Sequence, residues 1–367
     1  MSTWTTHSFL RRPHLKLLSL VIFLSLCISV PAHASSGTEG AAFLDIPVGA
    51  DPAAMGAAYT ALARNAYAPV WNPGGLGFLN STQISGQHLD YLDTEHYEFL
   101  SAVHPFNGGR AIGASVQYLG SGDIPRADGS GTPTGTFSSY FASYNLAYGQ
   151  AVTDKLSVGV TGKMIHAHID DVSASAYAAD VGSLYQALPN CTLAATVTNI
   201  GSQLTLLNEA NTLPLAFHLG GAYRISSQWL LSTEGVYPKT GLAAFHVGGE
   251  WRPIDTVALR AGYRTDTVKE LSAVAGVTAG IGLYVWGQEF AYAFTPMGDL
   301  GDTHYFSFVA KFGERDDAAH NLVDDRRMNP IAAADQGIAR SKGDVELMEL
   351  LNGDKSQAQA SEDSNAQ

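Results

Sequence analysis

The chain has 367 residues, of which 46% are hydrophobic, 10% are aromatic and only 15% are charged, and its formal net charge is −13. An ordinary soluble domain carries about 25% charged residues, so this composition is poor in charge for a surface that meets water on all sides. The acidic balance also argues against nucleic acid as a partner, because nucleic-acid-binding domains carry basic patches.

The first segment has the layout of a secretory signal peptide. Arg11, Arg12 and Lys16 precede an apolar run at residues 17–30, and small residues follow it up to Ala34. A basic start, an apolar core and a small-residue end are typical of a cleaved export signal. We therefore predict that residues 1–34 are removed and that the mature protein leaves the cytoplasm.

The two cysteines limit how the mature chain is stabilised. Cys27 lies inside the apolar run, and Leu26 before it is too large for a lipoprotein cleavage site. Cys191 then remains alone, which excludes an internal disulfide. An exported chain of this length must therefore be stabilised by burial or by a closed sheet.

Residues 35–80 lack the alternation of a strand, and we predict that they form an N-terminal hatch with a short helix. Asp51 followed by Pro52 predicts a helix start, with a capping carboxylate and a proline at the first helical position. Good helix formers continue to Arg64. Residues 68–77 come next, and their two prolines and three glycines exclude regular structure. The predicted hatch box within them consists of Trp71, Asn72, Pro73, Gly74, Gly75 and Leu76.

Residues 81–312 repeat one pattern, in which about ten alternating apolar and polar residues are followed by a turn. This pattern predicts an all-β fold, a closed antiparallel transmembrane β-barrel of about 14 strands. The alternative is a soluble β-sandwich, whose strands alternate similarly. The expected strands are residues 82–90, 96–106, 110–119, 136–150, 155–168, 175–187, 191–200, 213–225, 228–237, 242–252, 256–264, 271–280, 283–294 and 303–312.

The connections between these strands favour the barrel. Bacterial barrels alternate short periplasmic turns with longer outer loops, whereas a sandwich has no reason to do so. The long connections include residues 120–135, 201–212 and 295–302. The tight connections that alternate with them are residues 107–109, 153–154, 189–190, 226–227, 253–255 and 281–282.

The register of two neighbouring strands predicts which side chains face the lumen. Phe245, Val247 and Trp251 lie on an apolar face, and Leu259 lies on the corresponding face of the next strand. The opposite faces carry charges, which form either a structural charge lattice or a ligand contact. These predicted lumen-facing charges are Glu250, Arg252, Arg260 and Arg264.

Aromatic residues are placed as the two interfaces of a membrane would require. Tyr140, Tyr144 and Tyr148 share one strand face. A second set is expected to share a face near the end of the barrel, and it consists of Tyr284, Trp286, Phe290, Tyr292 and Phe294. The last strand ends on Phe312, which resembles the terminal aromatic signal of outer-membrane barrels.

The remaining chemistry-bearing residues give no strong signal. His166 and His168 precede Asp170 and Asp171, a pattern that fits either a metal site or polar wall residues, and we expect no metal and no other cofactor. No nucleophile motif stands out, so we expect no catalytic residues and no enzyme.

Residues 313–367 differ in composition from the barrel. They are acidic and poor in aromatic residues, which predicts a mostly disordered periplasmic tail. Residues 344–352 are the exception, because Leu347, Met348 and Leu351 share one face of a short helix. This segment is either a fluctuating helix or a docking peptide for a periplasmic partner.

Residues 43–61, followed by the box from Trp71 to Leu76, resemble the N-terminal signature of the PorV/PorQ family within the FadL-like outer-membrane barrels. The resemblance continues through residues 260–264 and 294–304, and it covers about residues 41–313. The Asn72-Pro73 pair is similar to the Asn-Pro-Ala box of the FadL hatch, with Gly74 in place of the alanine.

The resemblance implies a non-enzymatic barrel in the outer membrane, with both mature termini in the periplasm. PorV-like members serve type IX secretion, which implies secretion-apparatus proteins or exported cargo as partners. FadL-like members pass hydrophobic compounds such as long-chain fatty acids through the hatch. We rank protein export or cell-envelope organisation first and hydrophobic-compound uptake second.

Overall fold

The computed structural model describes residues 39–91, 95–266, 276–298 and 301–313. Fourteen antiparallel strands close into one barrel, which confirms the predicted fold class. The predicted signal peptide at residues 1–34 and the predicted helix at residues 344–352 lie outside the described residues. None of the helices in the described ranges has the length and apolarity that a membrane crossing needs.

Four strands of the chain form two small hairpins instead of joining the barrel. They are β4 (Ile124–Ala127) with β5 (Pro133–Phe137), and β10 (Leu204–Leu206) with β11 (Glu209–Asn211). The barrel strands are β1 (Thr82–Tyr91), β2 (Glu95–Phe106), β3 (Arg110–Ser121), β6 (Ser139–Ala151), β7 (Leu156–Ile169), β8 (Val172–Leu188), β9 (Cys191–Gly201), β12 (Ala216–Arg224), β13 (Trp229–Pro238), β14 (Ala244–Ile254), β15 (Val257–Arg264), β16 (Val277–Val285), β17 (Gln288–Pro296) and β18 (Asp302–Phe312).

The first and last strands close the barrel. β1 pairs with β2 on one side and with β18 on the other, with Thr82 opposite Phe312 and Asp90 opposite His304. Closure lets each strand satisfy its backbone polar groups on both sides, which the interior of a bilayer demands.

Side chains alternate between the lumen and the outer surface. On β14, His246 and Glu250 are buried, whereas Trp251 is exposed. Large apolar side chains point outward in the middle of strands, as Leu146 does with 73% of its surface exposed. The alternation therefore places the apolar faces outside, as the register predicts.

The two ends of the barrel differ in their connections. One end, here called the hairpin end, carries both small hairpins; the other, the turn end, carries the tight turns and the start of β1. Long and short connections do not alternate strictly, because β7 and β8 extend farther than predicted and are joined at the hairpin end by Asp170 and Asp171 alone. Asp170 adopts the left-handed conformation (φ 55°) that permits this turn.

The predicted turn at residues 281–282 is wrong. β16 runs through these residues, and the chain turns at Trp286 and Gly287, both at positive φ. Gly282 does not form a turn but leaves room for a neighbouring side chain, since a Cβ at this position would lie 2.7 Å from the Arg260 guanidinium. As a result Tyr284 faces the lumen, whereas Trp286 is 93% exposed in the turn, so the predicted aromatic face does not include them.

The predicted helix to Arg64 is also much too long. Helical structure covers only Ala50–Ala54, because Gly56 and Ala57 adopt positive φ angles that end it. The Asp51 carboxylate does not cap this helix but forms an ion pair with Arg260. Three other short helical turns lie at Ala42–Asp45, Ala68–Trp71 and Pro73–Phe78.

Candidate functional site

Residues 39–80, here called the plug, lie inside the barrel. Most of their side chains are buried, and Tyr67 and Leu76 are wholly enclosed. Within the described ranges the plug adds no strand to the barrel sheet, and its isolated bridge joins Glu39 to Thr212 in a connection at the hairpin end. The plug therefore occupies the lumen without being part of the wall.

Asn72 is the polar centre of the predicted hatch box. Its side chain is completely buried, and its amide nitrogen donates to the carbonyl oxygens of Thr60 (3.1 Å) and Ser183 (3.0 Å). Its amide oxygen accepts from the Gly74 nitrogen at 2.9 Å, which caps the helical turn Pro73–Phe78. One side chain thus ties two parts of the plug to β8 of the wall.

Trp71 and Leu76 anchor the box in different places. The Trp71 indole donates to the Val48 carbonyl at 2.8 Å, and its ring lies 5.7 Å from the Tyr59 ring, so Trp71 is held mainly by the plug itself. Leu76 instead contacts the wall, since a Cβ at Gly149 on β6 would lie 2.6 Å from the Leu76 Cβ. Sequence patterns did not distinguish these two roles.

Glycines on three neighbouring strands allow the box to approach the wall closely. A Cβ at Gly159 on β7 would lie 2.2 Å from the Pro73 carbonyl oxygen, and one at Gly182 on β8 would lie 2.2 Å from the Asn72 amide oxygen. Within the plug, a Cβ at Gly75 would lie 1.6 Å from the Ala63 carbonyl oxygen. Here we call this contact between the box and β6, β7 and β8 the glycine face.

The opposite side of the plug is held by hydrogen bonds to polar wall residues. The Tyr59 and Thr60 nitrogens both donate to Glu234 on β13 at 2.9 Å. Thr278 on β16 accepts from the Gly56 nitrogen at 3.0 Å and donates to the Ala54 carbonyl at 2.9 Å. We call the contact with β13 to β18 the polar face.

Arg260 is the centre of a charge cluster on the polar face. Its guanidinium donates to Glu250 at 2.8 Å and to Glu289 at 2.7 Å, and it lies 3.3 Å from the Asp51 carboxylate of the plug. Arg252 pairs with Glu250 at 2.7 Å. The cluster therefore joins plug and wall through charges that are almost fully buried.

The four predicted lumen charges are thus divided between two places. Glu250, Arg252 and Arg260 meet in the cluster, whereas Arg264 binds Asp266 through two hydrogen bonds of 2.7 and 2.6 Å nearer the hairpin end. Sequence reasoning missed Glu289 and Tyr284 as members of the cluster. A correct turn at Trp286 would have placed both on the lumen side by alternation alone.

The paired histidines do not form a metal site in the structure. His166 and His168 point outward, contact Ser175 and Ser173 at 3.0 and 2.8 Å, and pack against the Tyr140 ring. Across the described ranges, no group of three or more His, Cys, Asp and Glu side chains is arranged to hold a metal ion.

The part of the lumen nearest the hairpin end is strongly apolar. Leu89, Tyr97, Phe99 and Ile165 point into it and are buried against the N-terminal part of the plug. Neutral polar side chains lie among them, since the buried Gln87 on β1 is paired with Phe99 on β2.

Solved structures with a similar fold include a transporter and a hydrocarbon channel. The toluene transporter TbuX of Ralstonia pickettii matches with a TM-score of 0.53 at 15% identity, covering 72% of this chain and 98% of that one. The CymD monoaromatic hydrocarbon channel matches with a TM-score of 0.52 at 13% identity, covering 73% of this chain and 98% of that one. A Pseudomonas aeruginosa FadL homologue matches with a TM-score of 0.50 at 10% identity, covering 74% of this chain and 99% of that one.

The chain has the FadL-like barrel fold. No family model and no curated protein sequence matches it, so the resemblance to PorV/PorQ proteins gains no support from these comparisons. At such low identities the FadL-like likeness concerns the fold alone.

Proposed function

We propose that the protein is a non-enzymatic outer-membrane channel for small hydrophobic molecules and that the plug shifts to let them pass. The observation that carries this proposal is the way the plug is attached. Its hydrogen bonds to the wall come from side chains, as at Asn72, Glu234 and Thr278, and the barrel ladder is complete without it. A plug held in this way can move while the wall stays closed.

The apolar lumen near the hairpin end supports this substrate class. A hydrophobic molecule that reaches Phe99 or Ile165 leaves water for apolar surface, which is favourable by roughly 25 cal/mol per Å². TbuX and CymD, which share the fold, are described as a toluene transporter and a monoaromatic hydrocarbon channel. These observations place uptake above the export role that we first ranked highest.

The proposal includes a membrane placement. Residues 1–34 are the signal peptide, the turn end faces the periplasm and the hairpin end faces outward. The last described strand ends at the turn end, whereas Glu39 lies at the hairpin end beside Thr212. The N-terminal part of the plug therefore faces outward in this placement, in contrast to the expectation of a periplasmic mature N-terminus.

In this proposal the hatch box and the lumen charges hold the plug in its closed position. Asn72 fixes the box to β8, and the ion pair between Asp51 and Arg260 fixes the helical segment to β15. No feature of the described residues identifies a secretion partner, and the uptake role needs none.

Uptake measurements on a deletion strain test the proposed function. Cells that lack the protein should take up radiolabelled toluene or a long-chain fatty acid more slowly, and the wild-type gene should restore uptake. Asn72→Ala removes both tethering hydrogen bonds, so it should change the uptake rate while the barrel still assembles. Asn107→Ala, which changes an exposed residue outside the plug, is the matched control.

The export role predicts a different result in the same strain. If deletion left uptake unchanged but altered the proteins displayed at the cell surface, the channel proposal would be wrong and the export role would replace it.

A further inference from the structure

A cavity of about 160 Å³ lies between the N-terminal part of the plug and the hairpin end of the barrel. The plug contributes Asp45, Ile46 and Pro47 to its lining, and the wall contributes residues of β1 and of β15 to β18 and the connection after β17. An engineered apolar cavity of about 150 Å³ holds a benzene molecule, so this cavity has room for a compact organic molecule.

Among the described residues, Asp45 is the charged side chain of this cavity that has no hydrogen bond or ion pair. Its side chain is exposed to the cavity, and no hydrogen bond or ion pair to its carboxylate is present among the described residues. A carboxylate enclosed in a barrel without a donor is costly unless something else supplies the donor.

The threonine and arginine side chains of the lining are already bonded. The Thr295 and Thr303 hydroxyls contact each other, and Thr303 also donates to the Thr295 carbonyl at 2.9 Å. Thr278 is bonded to the plug, and Arg264 is bound on two atoms by Asp266. The positive charge in the lining is therefore compensated, whereas the negative charge of Asp45 is open to the cavity.

The rest of the lining suits an apolar body next to a cation. Ile46, Pro47 and Met297 supply apolar surface, and Tyr91 and Tyr305 supply aromatic rings. Aromatic rings attract cations as well as apolar groups. A cavity lined by one open carboxylate and two tyrosine rings is thus a suitable environment for an ammonium group.

We propose that this cavity binds a small organic ammonium ion, a one-ring or short-chain amine whose nitrogen donates to the Asp45 carboxylate. The inference names a ligand class for the lumen, and it rests on the proposed function only for the route by which the ligand arrives. Where Asp45 is ionised, its charge disfavours anionic ligands of the same size. A neutral alcohol lacks the charge attraction and binds more weakly.

The ionisation of Asp45 gives the site a pH dependence. Burial inside the barrel, reinforced by the nearby Glu39 carboxylate, raises the pKa of Asp45 to about 7, while His218, Arg264 and Lys163 act in the opposite direction. Benzylamine and similar amines stay protonated between pH 6 and pH 8, so their binding depends on the ionised form of the Asp45 carboxylate. Its affinity should therefore rise between pH 6 and pH 8, by roughly tenfold.

Titration calorimetry with benzylamine on the purified full chain in detergent micelles tests this proposal. Benzylamine should bind saturably to the wild type, and about tenfold or more weakly to Asp45→Asn. Asp90→Asn, whose carboxylate contacts His88 on the outer surface, is the matched control and should bind like the wild type. Benzyl alcohol and benzoate have the same ring as benzylamine. Benzyl alcohol should bind weakly, and benzoate should not bind.

Two results would overturn the inference. One is benzyl alcohol binding as tightly as benzylamine, with no effect of Asp45→Asn. The other is the absence of benzylamine binding to a protein whose heat-dependent gel mobility shows a folded barrel. Neither result affects the uptake of toluene by cells, so the failure of this inference is distinguishable from the failure of the channel proposal.

Discussion

The plug meets the barrel wall in two different ways on its two sides. On the glycine face, the box from Pro73 to Leu76 lies so close to β6, β7 and β8 that a Cβ atom added to the wall glycines would overlap with it. On the polar face, the segment around Asp51 and Thr60 is held to β13, β15 and β16 by hydrogen bonds and an ion pair. Both contacts are close-packed, since a Cβ at Gly262 on β15 would lie 2.1 Å from the Gly56 nitrogen, but the ion pair and more of the side-chain hydrogen bonds lie on the second.

This difference shows which side of the plug can be released. Backbone packing fixes where the box sits on the glycine face, whereas the polar face adds an ion pair and further hydrogen bonds to its own close packing. A neutral hydrogen bond can be exchanged for one to water or to a ligand group at a modest net cost of about 1 kcal/mol. We therefore expect the plug to stay anchored at the glycine face and to loosen at the polar face.

The largest expected effect comes from adding one methyl group to the glycine face. Gly159→Ala places a Cβ 2.2 Å from the Pro73 carbonyl oxygen, so the box must be displaced. We expect destabilisation of about 1–3 kcal/mol or more, together with protease cleavage of the plug. Gly162→Ala on the same strand is the control, since nothing lies within 4 Å of its Cβ. Equal protease resistance of both variants would contradict the steric account.

Removing the central charge of the polar face should have the next largest effect. Arg260→Leu leaves the Glu250, Glu289 and Asp51 carboxylates buried without their shared cation, which costs about 3–5 kcal/mol. Urea unfolding in detergent micelles measures the loss. Arg126→Leu, which breaks a partly exposed ion pair with Asp170, should cost at most about 1 kcal/mol. Similar losses for the two variants would show that the cluster does not hold the plug.

Single hydroxyl groups allow a finer comparison of the two faces. Thr278→Val removes one donor and one acceptor from the Ala54–Gly56 region, whereas Thr161→Val removes only the donor to the Pro69 carbonyl, 2.8 Å away. Each lost bond leaves a buried backbone group unpaired, at about 1–3 kcal/mol. Hydrogen exchange of plug amides should increase more in Thr278→Val. A larger increase in Thr161→Val would reverse the assignment of the loose side.

Sequence periodicity was sufficient for the barrel but not for the contacts inside it. Alternation is a property of each strand alone, so the outward position of Trp251 and the inward position of Arg260 followed from the pattern. The turn at Trp286 was missed because Gly282 looked like a turn residue. Its small size instead makes room for the Arg260 side chain from the neighbouring strand. Contacts between strands leave no local signal.

The plug shows the same limit more strongly. Asp51 and Pro52 looked like a helix start, but Gly56 and Ala57 adopt conformations that meet the wall and end the helix. A Cβ at Gly56 would lie 2.6 Å from the Tyr263 nitrogen of the wall. Helix propensity describes the local chain only, so it does not predict this contact. Proline and glycine predicted no regular structure for residues 71–76, which is wrong, because Trp71 ends a short helix and Pro73–Phe78 form a 3₁₀ turn. The partners of Asn72 depend on the closed barrel.

A reversible lock between the plug and β12, the strand next to the polar face, tests the central claim that the plug moves to admit hydrophobic molecules. Ala61 and Gly220 face each other between plug and β12, with a separation of 3.3 Å between the Ala61 Cβ and an ideal Cβ at Gly220, close to that of a disulfide. Ala61→Cys with Gly220→Cys, in a chain that also carries Cys191→Ala, should therefore form a disulfide on oxidation. The measurement is toluene uptake by cells in the oxidised and the reduced state. We predict that oxidation abolishes protein-dependent uptake and that reduction restores it, and equal uptake in both states would contradict a moving plug.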